Sequence, residues 1–198
     1  MELKKEIWYI SNLLSLSRFV LLGITIYFLI STLTNKYLLT CIMIIIIWIS
    51  DLLDGYFARK KNQISDFGKI IDPVADKVCI ISLVLILVLQ GIVPLWFGLI
   101  IILRDFIILC GGLYLKNIYK QVLQSNWVGK FSVFIIGLTL FFYIFFSHFK
   151  YGNKQIFLFY HTENLELFLK FLIILSMAMT ILSLFVYMKR FFGIVNKK

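Results

Sequence analysis

The sequence predicts an all-α integral membrane protein, with six transmembrane helices behind a short N-terminal interfacial helix. Three observations predict it. Of the 198 residues, 61% are hydrophobic and 15% charged, whereas water-soluble domains are about half apolar and a quarter charged. The apolar residues come in long runs instead of alternating with polar ones. The Lys and Arg residues gather at the ends of those runs.

The elements follow in chain order. Residues 1–10 mix Lys4, Lys5 and Glu6 with Ile7, Trp8 and Tyr9, the pattern of an amphipathic helix lying at headgroup level. Two lysines ahead of an apolar stretch also suggest a signal peptide. The stretch is long, Arg18 interrupts it and no A-x-A site follows, so retention is expected. A spanning helix needs about 20 largely apolar residues, and six stretches qualify: 11–33, 37–58, 70–90, 93–115, 127–148 and 166–188. Residues 11–190 then form one six-helix domain, and 191–198 a cytoplasmic tail. No Ser/Gly/Pro-rich linker marks a boundary.

Charge sets the orientation. With an inner N-terminus, thirteen Lys and Arg residues fall on the inner side, against four (Lys36, Lys150, Lys154 and Lys170) on the outer. The positive-inside rule therefore places both termini in the cytoplasm and the chain in the cell membrane. The net charge of +10 reads as topology and attraction to anionic lipid. No arginine-rich stripe suits a nucleic-acid backbone, so nucleic acid is not an expected partner. Cys41, Cys79 and Cys110 lie in apolar runs without metal spacing and read as small buried hydrophobes. His148 and His161, in or beside an outer loop, have no companion ligands and read as non-catalytic.

The chemistry is concentrated between spans two and three. Asp51 and Asp54 are three residues apart, Asp72 and Asp76 four apart, so each pair shares a helix face. The loop after Arg59 brings the end of one span to the start of the next, and four carboxylates can converge just inside the inner membrane surface. A lone charged Asp costs about 2.5–3.5 kcal/mol at a helix centre on insertion scales, and like charges repel. Divalent cations such as Mg²⁺ or Mn²⁺ relieve both penalties. Gly55, Ala58 and Gly68 leave room for a ligand against the backbone, and Arg59 offers a planar cation to phosphate oxygens. The blander alternative has Asp51 and Asp54 capping a helix end or pairing with Arg59 and Lys77.

These residues carry a resemblance. The pattern D-x2-D-G-x2-A-R-x8-G-x3-D-x3-D is the signature of the CDP-alcohol phosphatidyltransferases, and Asp51, Asp54, Gly55, Ala58, Arg59, Gly68, Asp72 and Asp76 fill every fixed position. The resemblance implies the six-helix CDP-alcohol phosphotransferase fold and a homodimer. It implies two divalent cations held by Asp51, Asp54, Asp72 and Asp76 against the diphosphate of CDP-diacylglycerol. Gly55, Ala58, Arg59 and Gly68 would then surround the CDP moiety, and Asp76 would take the acceptor proton as the catalytic base. The stretch Ser11-Asn12-Leu13-Leu14-Ser15-Leu16-Ser17-Arg18 is similar to the P-N-x-L-T-x-x-R opening of the phosphatidylglycerophosphate-synthase subgroup, which adds Asn12 and Ser15 to the CDP-lipid contacts.

For that subgroup the acceptor is glycerol 3-phosphate, and the resemblance assigns its phosphate to Arg18, Arg104 and Lys130. Ser132 stands where the subgroup usually has a second lysine. Arg104 also reads as a counter-charge for Asp105, and Lys130 as a boundary lysine whose ammonium reaches for water. Arg18 lies well inside its span, so it needs a partner. Phosphatidylserine, phosphatidylinositol-phosphate and cardiolipin synthases are the alternatives within the family. A divalent-cation transporter is the rival from another class, but its carboxylates belong at the bilayer midplane.

Overall fold

Where lipid offers no hydrogen bonds, a spanning chain must satisfy its backbone internally, and a helix does so within one segment. The computed structural model describes residues 10–60, 68–120, 126–152 and 162–196. Among them the chain forms six α-helices: α1 (Ile10–Ile30), α2 (Lys36–Lys60), α3 (Gly68–Leu89), α4 (Leu95–Tyr114), α5 (Trp127–Gly152) and α6 (Thr162–Val195). A π-helical turn, Leu115–Tyr119, extends α4. Five stretches are long and apolar enough to cross a membrane: Leu13–Ile30, Lys36–Leu53, Leu95–Tyr119, Trp127–Tyr151 and Asn164–Val195. The span expected at 70–90 falls on α3, a 22-residue helix. The interfacial helix expected over 1–10 lies outside the described residues except for Ile10, as do His161, Lys197 and Lys198.

Two helices outrun their expected spans. The last one continues through Val195, so most of the expected tail at 191–198 is helical: Arg190, Phe191 and Phe192 extend it without Pro, and Gly193 does not break it. α5 likewise reaches Gly152.

The chain divides into two compact units, residues 1–86 with 144–154, and residues 87–143 with 155–198. In the first, α1 and α2 pack as an antiparallel hairpin around the short Ser31–Asn35 connection. Ser15, Arg18, Leu22, Thr25 and Leu29 form one buried stripe on α1, at the three-and-four spacing of a helix face. Tyr37, Cys41, Ile44 and Ile47 answer it on α2, and Ala75, Cys79, Leu83 and Val84 form the buried face of α3. The buried hydroxyls of Thr25 and Thr40 donate one turn back, to the carbonyls of Leu21 and Lys36, each at 2.7 Å. That is how a hydroxyl sits in an apolar helix without an orphaned donor.

In the second unit, Gly91 ends α3. Its φ of +67° lets Ile92 N–H return to the Leu87 carbonyl (3.0 Å) and Gly91 N–H to that of Val88 (3.0 Å), a Schellman turn that a side chain would strain. Phe97, Ile101, Arg104 and Asp105 are buried on α4. Cys110 departs from expectation: it is exposed while Cys41 and Cys79 are buried, because nine residues beyond Ile101 a helix has turned to its opposite face. α5 starts at a cap in which Gly129 N–H donates to Asn126 Oδ1 at 2.6 Å. Along the seam of α5 and α6, the Thr139 hydroxyl lies 3.4 Å from the Leu172 carbonyl, and a Cβ on Gly129 would lie 3.6 Å from Ser183 Oγ. As the number falls on α5 it rises on α6, so the two run antiparallel.

Candidate functional site

Three helices of the first unit deliver the charged cluster. Arg18 sits on the buried stripe of α1, Asp51 near the far end of α2 and Asp76 in the third turn of α3. One nitrogen, Arg18 Nη1, donates to Asp51 Oδ1 at 2.7 Å and also to Asp76 Oδ1. The arginine side chain is 1% exposed, the two carboxylates 50% and 49%. A cation so placed demands counter-charges, and here two aspartates from separate helices supply them. The two halves of the aspartate motif therefore meet on a single guanidinium.

Asp54 lies one turn beyond Asp51 on α2, and Asp72 one turn before Asp76 on α3. The side chains of Asn12, Asp54, Gly55, Ala58, Arg59, Gly68 and Asp72 fall outside the described residues, as does the 61–67 connection. Ser15 is wholly buried on α1, three residues before Arg18. Among the described residues no three metal-ligating side chains converge, but Asp51 and Asp76 do. Their chemistry fits a divalent cation: hard, half-exposed carboxylate oxygens, two negative charges against one positive.

The second unit holds its own buried charge. Arg104 is 6% exposed; its Nη1 donates to Asp105 Oδ1 at 2.5 Å and its Nη2 to Ser183 Oγ at 2.7 Å. Arg104 Nε and Ser132 Oγ are buried without a hydrogen-bond partner among the described residues. Lys130 is exposed, its ammonium 5.9 Å from the Trp127 ring centroid, as suits a cation at a membrane boundary. The imidazole of His148 packs on Phe149, with centroids 5.4 Å apart.

Arg18, expected at the acceptor phosphate, lies against two aspartates of the motif. The signal was present, since an arginine that deep in a span requires carboxylates and the motif holds the nearest ones. Ser183 carried no such signal, one serine among several in an apolar run. Its contact with Arg104 depends on which face of α6 meets α4.

Comparison with known proteins agrees with the motif. The family model described as CDP-alcohol phosphatidyltransferase matches residues 8–185. The chain is 36% identical over 134 residues to the CDP-diacylglycerol–glycerol-3-phosphate 3-phosphatidyltransferase of Aquifex aeolicus (strain VF5), covering 66% of this chain and 72% of that one. It is 37% identical over 94 residues to the enzyme of the same name from Bacillus subtilis (strain 168), 48% of each chain. It is also 38% identical over 87 residues to a cardiolipin synthase (CMP-forming) of Streptomyces coelicolor (strain ATCC BAA-471 / A3(2) / M145), covering 43% of this chain and 40% of that one. With the match running from before α1 into α6 and every signature position filled, the chain belongs to the CDP-alcohol phosphatidyltransferase family.

Proposed function

We propose that this membrane phosphatidyltransferase moves the phosphatidyl group of CDP-diacylglycerol to sn-glycerol 3-phosphate, releasing CMP and phosphatidylglycerophosphate. The observation that carries the reading is the meeting of Asp51 and Asp76, one from each half of the signature, on Arg18. The names of the Aquifex and Bacillus relatives support the acceptor.

In this reading Asp51, Asp54, Asp72 and Asp76 hold two divalent cations, Mg²⁺ or Mn²⁺. Bound there, the cations would neutralise the diphosphate and ease the departure of CMP. Asn12, Ser15, Gly55, Ala58, Arg59 and Gly68 contact the CDP-lipid. Asp76 takes the proton of the acceptor hydroxyl, the hydroxyl oxygen attacks the phosphorus nearer the diacylglycerol, and the bond from that phosphorus to the CMP oxygen breaks. Arg18, Arg104 and Lys130 receive the acceptor phosphate, and Arg18 also balances the carboxylates. α3 is the sixth span, both termini face the cytoplasm, and the enzyme works as a homodimer in the cell membrane.

The test supplies the purified protein with CDP-diacylglycerol, Mg²⁺ or Mn²⁺ and one acceptor at a time, and follows CMP. Release with glycerol 3-phosphate is expected. A second reading, cardiolipin synthesis, draws on the Streptomyces relative and on Ser132 in place of a second lysine. CMP release with phosphatidylglycerol and none with glycerol 3-phosphate would establish it instead.

A further inference from the structure

Arg104 and Asp105 are adjacent in sequence, and adjacent residues on a helix point about 100° apart. Their ion pair holds only one of the two terminal nitrogens, Nη1. What fixes the other comes from 79 residues away: Ser183 Oγ on α6, 2.7 Å from Nη2. Asp105 accepts from one terminal nitrogen and Ser183 from the other, and Nε–H is buried with no partner among the described residues. Buried polar groups in folded proteins nearly always have partners, so the hydrogen bonding of this guanidinium is incomplete among the described residues.

The placement of Ser183 is itself built. One turn further along both helices, the Tyr187 hydroxyl donates to the Ile108 carbonyl at 2.9 Å. A Cβ on Gly111 would come within 2.7 Å of that hydroxyl oxygen, so the glycine makes room for it. The rings of Tyr114 and Phe191 meet a turn beyond, with centroids 5.9 Å apart. These contacts advance together along α4 and α6, so the two helices run parallel, with Ser183 held level with Arg104. Gly129 on α5 lies beside Ser183, where a Cβ would make an ordinary contact of 3.6 Å with its Oγ.

We infer that Ser183 is a positioning residue for the acceptor: with Asp105 it fixes the Arg104 guanidinium in the orientation that receives an oxygen of a phosphorylated alcohol. The inference rests on the proposed role of Arg104 at the acceptor phosphate. A fixed donor binds more tightly than one that must first be ordered. Loss of the Ser183 bond therefore weakens acceptor binding and leaves the donor lipid and the chemical step alone.

The test measures steady-state kinetics of Ser183→Ala, Ser183→Cys, Ser183→Thr and Arg104→Gln in detergent, varying glycerol 3-phosphate and CDP-diacylglycerol separately. For Ser183→Ala and Ser183→Cys, KM for glycerol 3-phosphate rises about tenfold, with kcat and the KM for CDP-diacylglycerol within about twofold. Ser183→Thr, which keeps the hydroxyl, restores most of the affinity. Ser183→Cys conserves shape, so its melting temperature separates a folding defect from lost positioning. If Arg104→Gln raises the acceptor KM and neither Ser183→Ala nor Ser183→Cys does, the positioning role is wrong and the role of Arg104 stands. If Arg104→Gln leaves the acceptor KM unchanged, the role of Arg104 falls and takes this inference with it. Equal losses in kcat and in both KM values, with a lowered melting temperature in Ser183→Cys, would show Ser183 to be purely structural.

Discussion

Arg18 and Arg104 both lie inside membrane-length stretches, both are almost wholly buried, and they are neutralised in opposite ways. Arg18 is balanced by carboxylates from two other helices, each about half exposed. Arg104 is balanced by its own neighbour, Asp105, only 7% exposed, with a neutral serine on the other side. The first arrangement gathers excess negative charge at a partly open surface, where a cation from solution can enter. The second pairs its charge within α4, with Nε–H lacking a partner among the described residues. Open carboxylates suit metal chemistry; a closed, fixed guanidinium suits recognition.

The largest effect should come from breaking the open cluster at its proposed base. Asp76→Asn keeps the shape, removes the proton acceptor and takes one charge from Arg18. CMP release is expected to fall by about a thousandfold, with the protein still folded by circular dichroism. Normal CMP release from this variant would remove Asp76 from the chemistry.

The closed pair should be the more costly to split. Arg104→Met leaves Asp105 buried without its cation, a loss of about 3–5 kcal/mol. The double variant Arg104→Met/Asp105→Leu removes both charges and should regain most of that stability while remaining inactive. Thermal melts of the two variants in the same detergent decide it. A double variant as unstable as the single one would mean that the pair does not close on itself.

Splitting the open cluster should cost less. Arg18→Gln leaves two half-exposed carboxylates facing one another, and solvent screens much of their repulsion, so about 1 kcal/mol is expected. Mg²⁺ should then raise the melting temperature of Arg18→Gln more than that of the wild type, because the ion takes over the missing positive charge. Equal Mg²⁺ responses would separate Arg18 from the metal-binding carboxylates.

The same contrast explains what could be read from the residues alone. Helix positions were legible because a spanning segment has little freedom besides being a helix of the right length. The aspartate motif was legible because fixed spacings on two helices encode a shared face. The partners of Arg18 were half legible: burial demanded carboxylates, but their identity needed the packing of three helices. Ser183 and Tyr187 were opaque, because in an apolar helix one hydroxyl looks like another until the partner helix is known. Cys110 was misread for a related reason, since hydropathy does not distinguish a lipid-facing flank from a protein-facing one.

The smallest expected effect lies where the subgroup's second lysine is replaced. Ser132 is wholly buried and its hydroxyl has no partner among the described residues, one turn along α5 from the glycine that abuts Ser183. A buried hydroxyl with no hydrogen bond costs free energy that an alanine would not. Ser132→Ala should therefore be neutral or stabilising by up to about 1 kcal/mol, with the acceptor KM unchanged. A rise in that KM would mean the hydroxyl is reserved for the acceptor phosphate, and that the serine replaces the lysine in function as well as in position. Recognition would then include a buried hydroxyl of α5, besides Lys130 on that helix and Arg104 on α4.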